Sequence, residues 1–269
     1  LHTGRWANVF LAHPSGSLAA PAADYVLKLA DLAAMPSAER AFAQARLIRE
    51  ATVARQVSHP HLVPVLAGEV QAETAWIVEP YCGSRTLREE VNQPSSPPQM
   101  LWLVRQTCEA LQALHAAGWL HGDVCPENVV VSAEGHATLI DLAFARRLRS
   151  AECAIASTPF SGRTIYAAPE AFAEQGELQA SADMYSLGVL LFEMLVGTDP
   201  FYEYAGEEIL AAKRLLAAPD IREFEPETPF ALAQLVNRLL SREPLRRPSA
   251  SEAIEQFVAL EIESFLQWR

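Results

Sequence analysis

Apolar periodicity changes character once along this chain, near Cys82-Gly83-Ser84, and no other feature limits the fold so strongly. Before that point the pattern is mostly of period two. Val9 to Ala12 and Tyr25 to Ala30 read as short strands joined by the turn-rich segment Pro14 to Ala23. A helix follows Pro36 with Ser37 as its N-cap and runs to about Val57 through Ala, Arg and Gln of high helix propensity, until His59-Pro60 ends it. Leu62 to Ala67 and Ala75 to Glu79 read as two more strands. From residue 98 onward helical spacing dominates, in Gln99 to Ala117, Ala182 to Val196, Glu207 to Ala217, Ala231 to Leu240 and Ser251 to Gln267. The expectation is an α+β fold within one domain: a small β-rich lobe with one helix (1–80), a hinge (81–85) and a larger, mainly helical lobe (86–269). The helical pattern is broken once, by Val129 to Val131 and Ala137 to Ile140, whose five-residue link makes a hairpin. Antiparallel pairing would then set Asn128 and Asp141 side by side.

Composition narrows the partners. The 269 residues are 50% hydrophobic and 20% charged, ordinary for a folded domain with its own core. A net charge of -12 argues against nucleic acid or an anionic membrane surface as partner. The longest apolar run, Leu187 to Val196, is broken by Glu193 and is too short to span a bilayer. Four widely spaced cysteines, Cys82, Cys108, Cys125 and Cys153, contain no CxxC pair, so a reducing, cytoplasmic setting is expected without structural zinc or disulfides. The start at Leu1, without a leader pattern, reads as a domain cut from a longer protein, whose other regions could tether it to a membrane. Richness in Arg and Ala points to a GC-rich bacterial genome.

Two groups of residues suggest chemistry. Asn128 and Asp141 offer a hard cation two oxygen ligands, which suits magnesium completed by water and phosphate, and Asp123 lies five residues before Asn128. Loop polar residues capping a hairpin would have the same pattern. Only two of the 21 basic residues are Lys, Lys28 and Lys213. Lys28 alternates onto one strand face with Val26, while Glu50 lies on the apolar stripe of the first helix with Leu47, Ala54 and Val57. A carboxylate on that stripe needs a cation, and Lys28 is the candidate. An interfacial Glu reaching solvent and a strand-edge Lys remain open as the alternative.

The order of these residues resembles the eukaryotic-like Ser/Thr protein kinase family, of bacterial type, over nearly the whole chain. His121-Gly122-Asp123-Val124-Cys125-Pro126-Glu127-Asn128 is similar to HRDLKPEN, Asp141-Leu142-Ala143 to DFG and Ala168-Pro169-Glu170 to APE. The resemblance implies a bilobal kinase-like fold, ATP and Mg2+ as cofactors, and a protein substrate bearing Ser or Thr hydroxyls. It implies that Lys28, paired with Glu50, holds nucleotide phosphates, that Asp123 is the catalytic base and that Asn128 and Asp141 are metal ligands. It further implies a buried brace at Asp183 and a Glu170–Arg247 salt bridge. Adenine would lie between Val9 and Val26 above and Val130 below, its polar edge on the backbone of Glu79 and Tyr81, with Val78 as gatekeeper.

Several positions depart from the family pattern. Of the glycines of GxGxxGxV only Gly4 survives in His2 to Val9, which predicts weaker nucleotide binding. Gly122 replaces the Arg that answers a phosphorylated activation loop, although Ser157, Thr158, Ser161 and Thr164 remain modifiable. Cys125 replaces a Lys that contacts the transferred phosphoryl group, a loss worth roughly 10² to 10³ in rate. Arg163 is a candidate to restore that charge near Asp123. Glu127 and Glu193 stand where relatives preferring basic peptides carry acids. The expected activity is therefore γ-phosphate transfer to protein Ser/Thr, slowed by Cys125. The alternatives are a pseudokinase serving as a binding or scaffolding module and, from the HGD spelling, a small-molecule phosphotransferase.

Overall fold

The computed structural model describes residues 2–3, 6–14, 24–91, 96–148, 164–172, 179–206 and 208–267. The N-terminal part is a five-stranded antiparallel sheet in the order β1-β2-β3-β5-β4, made from His2–Thr3 (β1), Asn8–Ala12 (β2), Tyr25–Asp31 (β3), Ala67–Val70 (β4) and Thr74–Pro80 (β5). One helix, Ser37–Gln56 (α1), lies across it. Alternation explains the packing: Ala30, Ala75 and Ile77 project from one face and close a small core with Leu32, Ala43 and Leu47. Ser37 is the first helical residue rather than the expected cap, because Pro36 holds the N-cap position and its fixed φ starts the turn.

The strand expected over Leu62 to Ala67 is not formed. Pro64 has no N–H to donate and divides the run between two sheets. Upstream of it, Leu139 donates its N–H to the His61 carbonyl at 2.9 Å and Val63 to the Leu139 carbonyl at 3.0 Å. Downstream, Leu66 donates to Val78 at 2.8 Å, and β4 proper begins at Ala67.

The C-terminal part is mainly helical. After the short pieces Arg85–Thr86 (β6) and Leu87–Val91 (α2) come Pro97–Ala116 (α3) and Trp119–Leu120 (β7). The hairpin is Val129–Val131 (β8) with Ala137–Leu139 (β9), and Arg146–Arg147 (β10) returns to pair with β7. Four helices complete the part: Ala180–Val196 (α4), Glu208–Leu215 (α5), Phe230–Leu239 (α6) and Ala250–Gln267 (α7). Helix α4 is the centre of the main core, buried on every side from Ala182 to Met194, which is why its sequence is apolar all round. At Gly188 it comes so near α6 that an added Cβ would lie 2.7 Å from the Leu239 Cβ. A sheet-rich N-terminal part and a helical C-terminal part are thus present, with the crossing from one to the other after β5. No helix among the described residues is long and apolar enough to cross a membrane.

Candidate active site

Strand β3 presents Lys28 toward α1, and its ammonium donates to Glu50 Oε1 at 2.6 Å. Glu50 is 1% exposed and also accepts the Leu142 N–H at 3.2 Å, so one carboxylate joins sheet, helix and the turn after β9. Burial alone would lower the Lys28 pKa, but Glu50, Glu79 and Asp141 outweigh it and hold the group above its ordinary value. Burial pushes Glu50 upward against the pull of Lys28, and Glu79 and Asp141 add to the rise. Lys28 stays an ammonium, shared between the Glu50 and Glu79 carboxyl groups.

The register of β3 with β5 corrects the expectation for the base slot. Val78 stands opposite Leu27, on the face turned away from Lys28, whereas Glu79 stands opposite Val26, beside Lys28. Glu79 is 3% exposed and lies 3.2 Å from the Lys28 ammonium, so its side chain, not that of Val78, borders the slot. Tyr81 was expected to offer its backbone, yet its N–H already donates to the Asp24 carbonyl at 3.0 Å. Hydrogen-bonded pairs alternate along an antiparallel ladder, so Glu79 likewise turns its backbone to Val26. Backbone groups on the other edge belong to Pro80 and Cys82, beyond Val78, where pairing with β4 stops. Val9 faces Lys28 across β2, in line with the expected apolar ceiling. Val130 is half-buried, and an added Cβ on Gly83 would sit 3.2 Å from its Cγ1, which puts Val130 directly against the crossing.

The segment from His121 to Asn128 is held from below by Asp183 of α4. That carboxylate accepts the N–H groups of His121 at 2.8 Å and Gly122 at 2.9 Å and meets His115 Nε2 at 2.8 Å. Burial would raise the Asp183 pKa, but the contact with His115, the charge of His121 and the Gly122 N–H prevail and hold it below the ordinary range. Gly122 has φ 78°, and a Cβ there would meet the Phe144 carbonyl oxygen at 2.7 Å. Asn128 Nδ2 donates to the Asp123 carbonyl at 2.8 Å and to its Oδ2 at 2.9 Å, which orients the Asp123 carboxylate and leaves the Asn128 amide oxygen for another partner. Asn128 pairs with Ile140, whose N–H donates to its carbonyl at 2.8 Å, so the expected side-by-side placement with Asp141 is displaced by one residue.

Asp141 is the one non-glycine among the described residues with positive φ, 66°, and its carboxylate accepts the Ala143 N–H at 3.3 Å. An Asp in that conformation stores strain of order 1 to 3 kcal/mol, a recurrent mark of functional positions. Burial acts to raise its pKa, but Lys28, Arg46 and His121 outweigh it, so Asp141 stays ionised. Lys28, Glu50, Glu79 and Asp141 therefore form one electrostatic cluster. The donor set of Asn128 and Asp141 consists of hard oxygens and fits a magnesium ion that takes its other ligands from water and phosphate. Among the described residues no cluster of three acids, histidines or cysteines forms a self-sufficient metal cage.

Other expectations are met in part. Gly4 and Arg163 lie outside the described residues, as do Ser157, Thr158, Ser161 and Cys153. Cys125 is fully buried. Glu170 and Arg247 form a two-pronged salt bridge at 2.5 and 2.8 Å. Glu127 and Glu193 are bridged by Arg88 of α2, whose Nε donates to Glu127 at 2.7 Å while its other nitrogens reach Glu193 and the Tyr166 hydroxyl. Sequence reasoning missed Arg88, Arg46 and the Glu79 side chain. Only Arg46 left a local signal, being one helical turn before Glu50. Lys213, the second of the two lysines, is 1% exposed and donates to the carbonyls of Thr164, Ile165 and Ala167, fastening the segment that leads into Pro169.

The chain matches the protein kinase domain family over residues 19–258. It belongs to that family. Among similar proteins is the serine/threonine-protein kinase PknD of Mycobacterium tuberculosis, 33% identical over 78% of this chain but only 32% of PknD. A probable serine/threonine-protein kinase PknB of Lactococcus lactis is 29% identical over 80% of this chain and 34% of its own length. Human serine/threonine-protein kinase 16 is 28% identical over 79% of this chain and 76% of its own length. This kinase domain thus spans about a third of the bacterial relatives it matches.

Proposed function

We propose that this kinase domain transfers the γ-phosphate of ATP to Ser or Thr hydroxyls of proteins. The observation that carries the reading is the convergence of Lys28, Glu50 and Asp141, from a strand, a helix and a strained turn, next to the oriented pair Asp123–Asn128. Val9, Val26 and Val130 would enclose the base, and the Pro80 carbonyl and Cys82 backbone would meet its edge in place of Glu79 and Tyr81. Lys28 would hold phosphate oxygens. Asn128 and Asp141 would hold magnesium, which supplies charge neutralisation on the phosphates when bound. Asp123 accepts the proton of the attacking hydroxyl as its oxygen forms the new bond to phosphorus and ADP leaves. Since the buried Cys125 offers no ammonium, the missing Lys lowers the rate by about 10² to 10³ against ordinary kinases, which turn over at roughly 1 to 100 per second. Arg163 is proposed to return some of that charge.

A second reading, a nucleotide-binding pseudokinase, is favoured by Cys125 and by the second acid on Lys28. The two separate in one assay. With radiolabelled γ-phosphate ATP, magnesium and a protein acceptor, slow transfer by the wild type that Asp123→Asn abolishes is the expected result. Absence of transfer from both proteins overturns the enzyme reading, and phosphate transfer to aminoglycosides alone would favour a small-molecule phosphotransferase.

A further inference from the structure

Lys28 donates to two buried carboxylates, and only one of them belongs to the arrangement just described. Glu50 takes the shorter contact, 2.6 Å, and is itself fixed by the Leu142 N–H. Glu79 takes the longer one, 3.2 Å, from the strand that leads into the crossing. Both acids are almost wholly buried, and Asp141 adds a third negative charge to the same cluster. The ammonium is thus already shared between two acids in the place where a polyanionic nucleotide would have to bind. An ammonium has three N–H groups; with two engaged by carboxylates, phosphate oxygens must compete for it.

We propose that Glu79 is a competing counter-ion of Lys28, one that nucleotide phosphates displace on binding and that thereby sets a weakened affinity for phosphate-bearing nucleotides. The proposal rests on the nucleotide-binding reading above. Glu79 acts through Lys28, so it is a positioning residue and not a catalytic one. Its effect has a chemical signature: acting through Lys28, it opposes the phosphate tail far more than the base whose slot it borders. Replacing Glu79 by a neutral residue of equal shape removes both the competing acceptor and one negative charge, while Glu50 keeps Lys28 in place.

The test compares wild type with Glu79→Gln and, as a second shape, Glu79→Met, with folding checked by circular dichroism. Calorimetric affinities are measured for Mg·ATP, Mg·ADP and adenosine. The expected result is about tenfold tighter ATP and ADP in both variants, equivalent to ~1.4 kcal/mol, with a much smaller change for adenosine. In the transfer assay KM for ATP falls in parallel with the calorimetric affinity. Unchanged or weaker ATP binding in correctly folded Glu79→Gln overturns the proposal while leaving the kinase reading intact, as does an equal gain for adenosine. If neither wild type nor variants bind Mg·ATP, both readings fall together.

Discussion

Asp183 shows how much one buried carboxylate organises. It accepts two consecutive N–H groups and meets His115, so the His121–Asn128 segment is pinned to the central helix from inside the core. Asp183→Asn keeps the shape and removes the charge. The expected cost is about 3 kcal/mol in urea unfolding, since part of a buried charged network is broken. The sign of the pH effect follows from linkage: the folded pKa lies below the ordinary 3.8, so the stabilisation is complete above that value and is lost as pH falls through the lower folded value. Wild type should lose stability steeply on that acid limb, and Asp183→Asn should show a flatter one. A parallel pair of acid limbs would refute the assignment. Lys28 and Glu50 were legible because scarcity marked one and helical spacing the other. Glu79 was not, since which face a strand residue occupies depends on register with a partner fifty residues away, and nothing local states it.

At the scale of elements, the six longer helices were legible to within a few residues because each carries two or more turns of repeating pattern, whereas the five-residue α2 was not. Short strands were less so. The run from Leu62 looked continuous in apolarity, but Pro64 splits its hydrogen bonding between β9 and β5. The contact of α4 with α6 depends on a missing side chain that no periodicity reveals. Gly188→Ala gains up to about 1 kcal/mol of helix propensity but drives a Cβ to 2.7 Å from Leu239. Overpacking of that kind costs typically 1 to 3 kcal/mol, so the net expectation is a lower denaturant midpoint with an unchanged m-value. A midpoint that rises would mean that α6 withdraws without penalty.

On the scale of the whole molecule, Glu50 touches the sheet through Lys28 and the C-terminal part through Leu142, so the two parts share a single carboxylate at their seam. The chain carries a net charge of -12, yet Glu127 and Glu193, the acids expected from the resemblance to face basic peptides, are tied to Arg88. With that guanidinium already seated between them, a cationic target would find diffuse attraction but no discrete seat. Encounter with a Lys- or Arg-rich peptide should then slow several-fold as salt rises through about 0.1 M, where the screening length is about 10 Å, while saturated turnover stays constant. Walking one Arg along such a peptide, position by position, should leave the specificity constant nearly flat; a sharp peak at one position would mean that the clasp opens for its visitor.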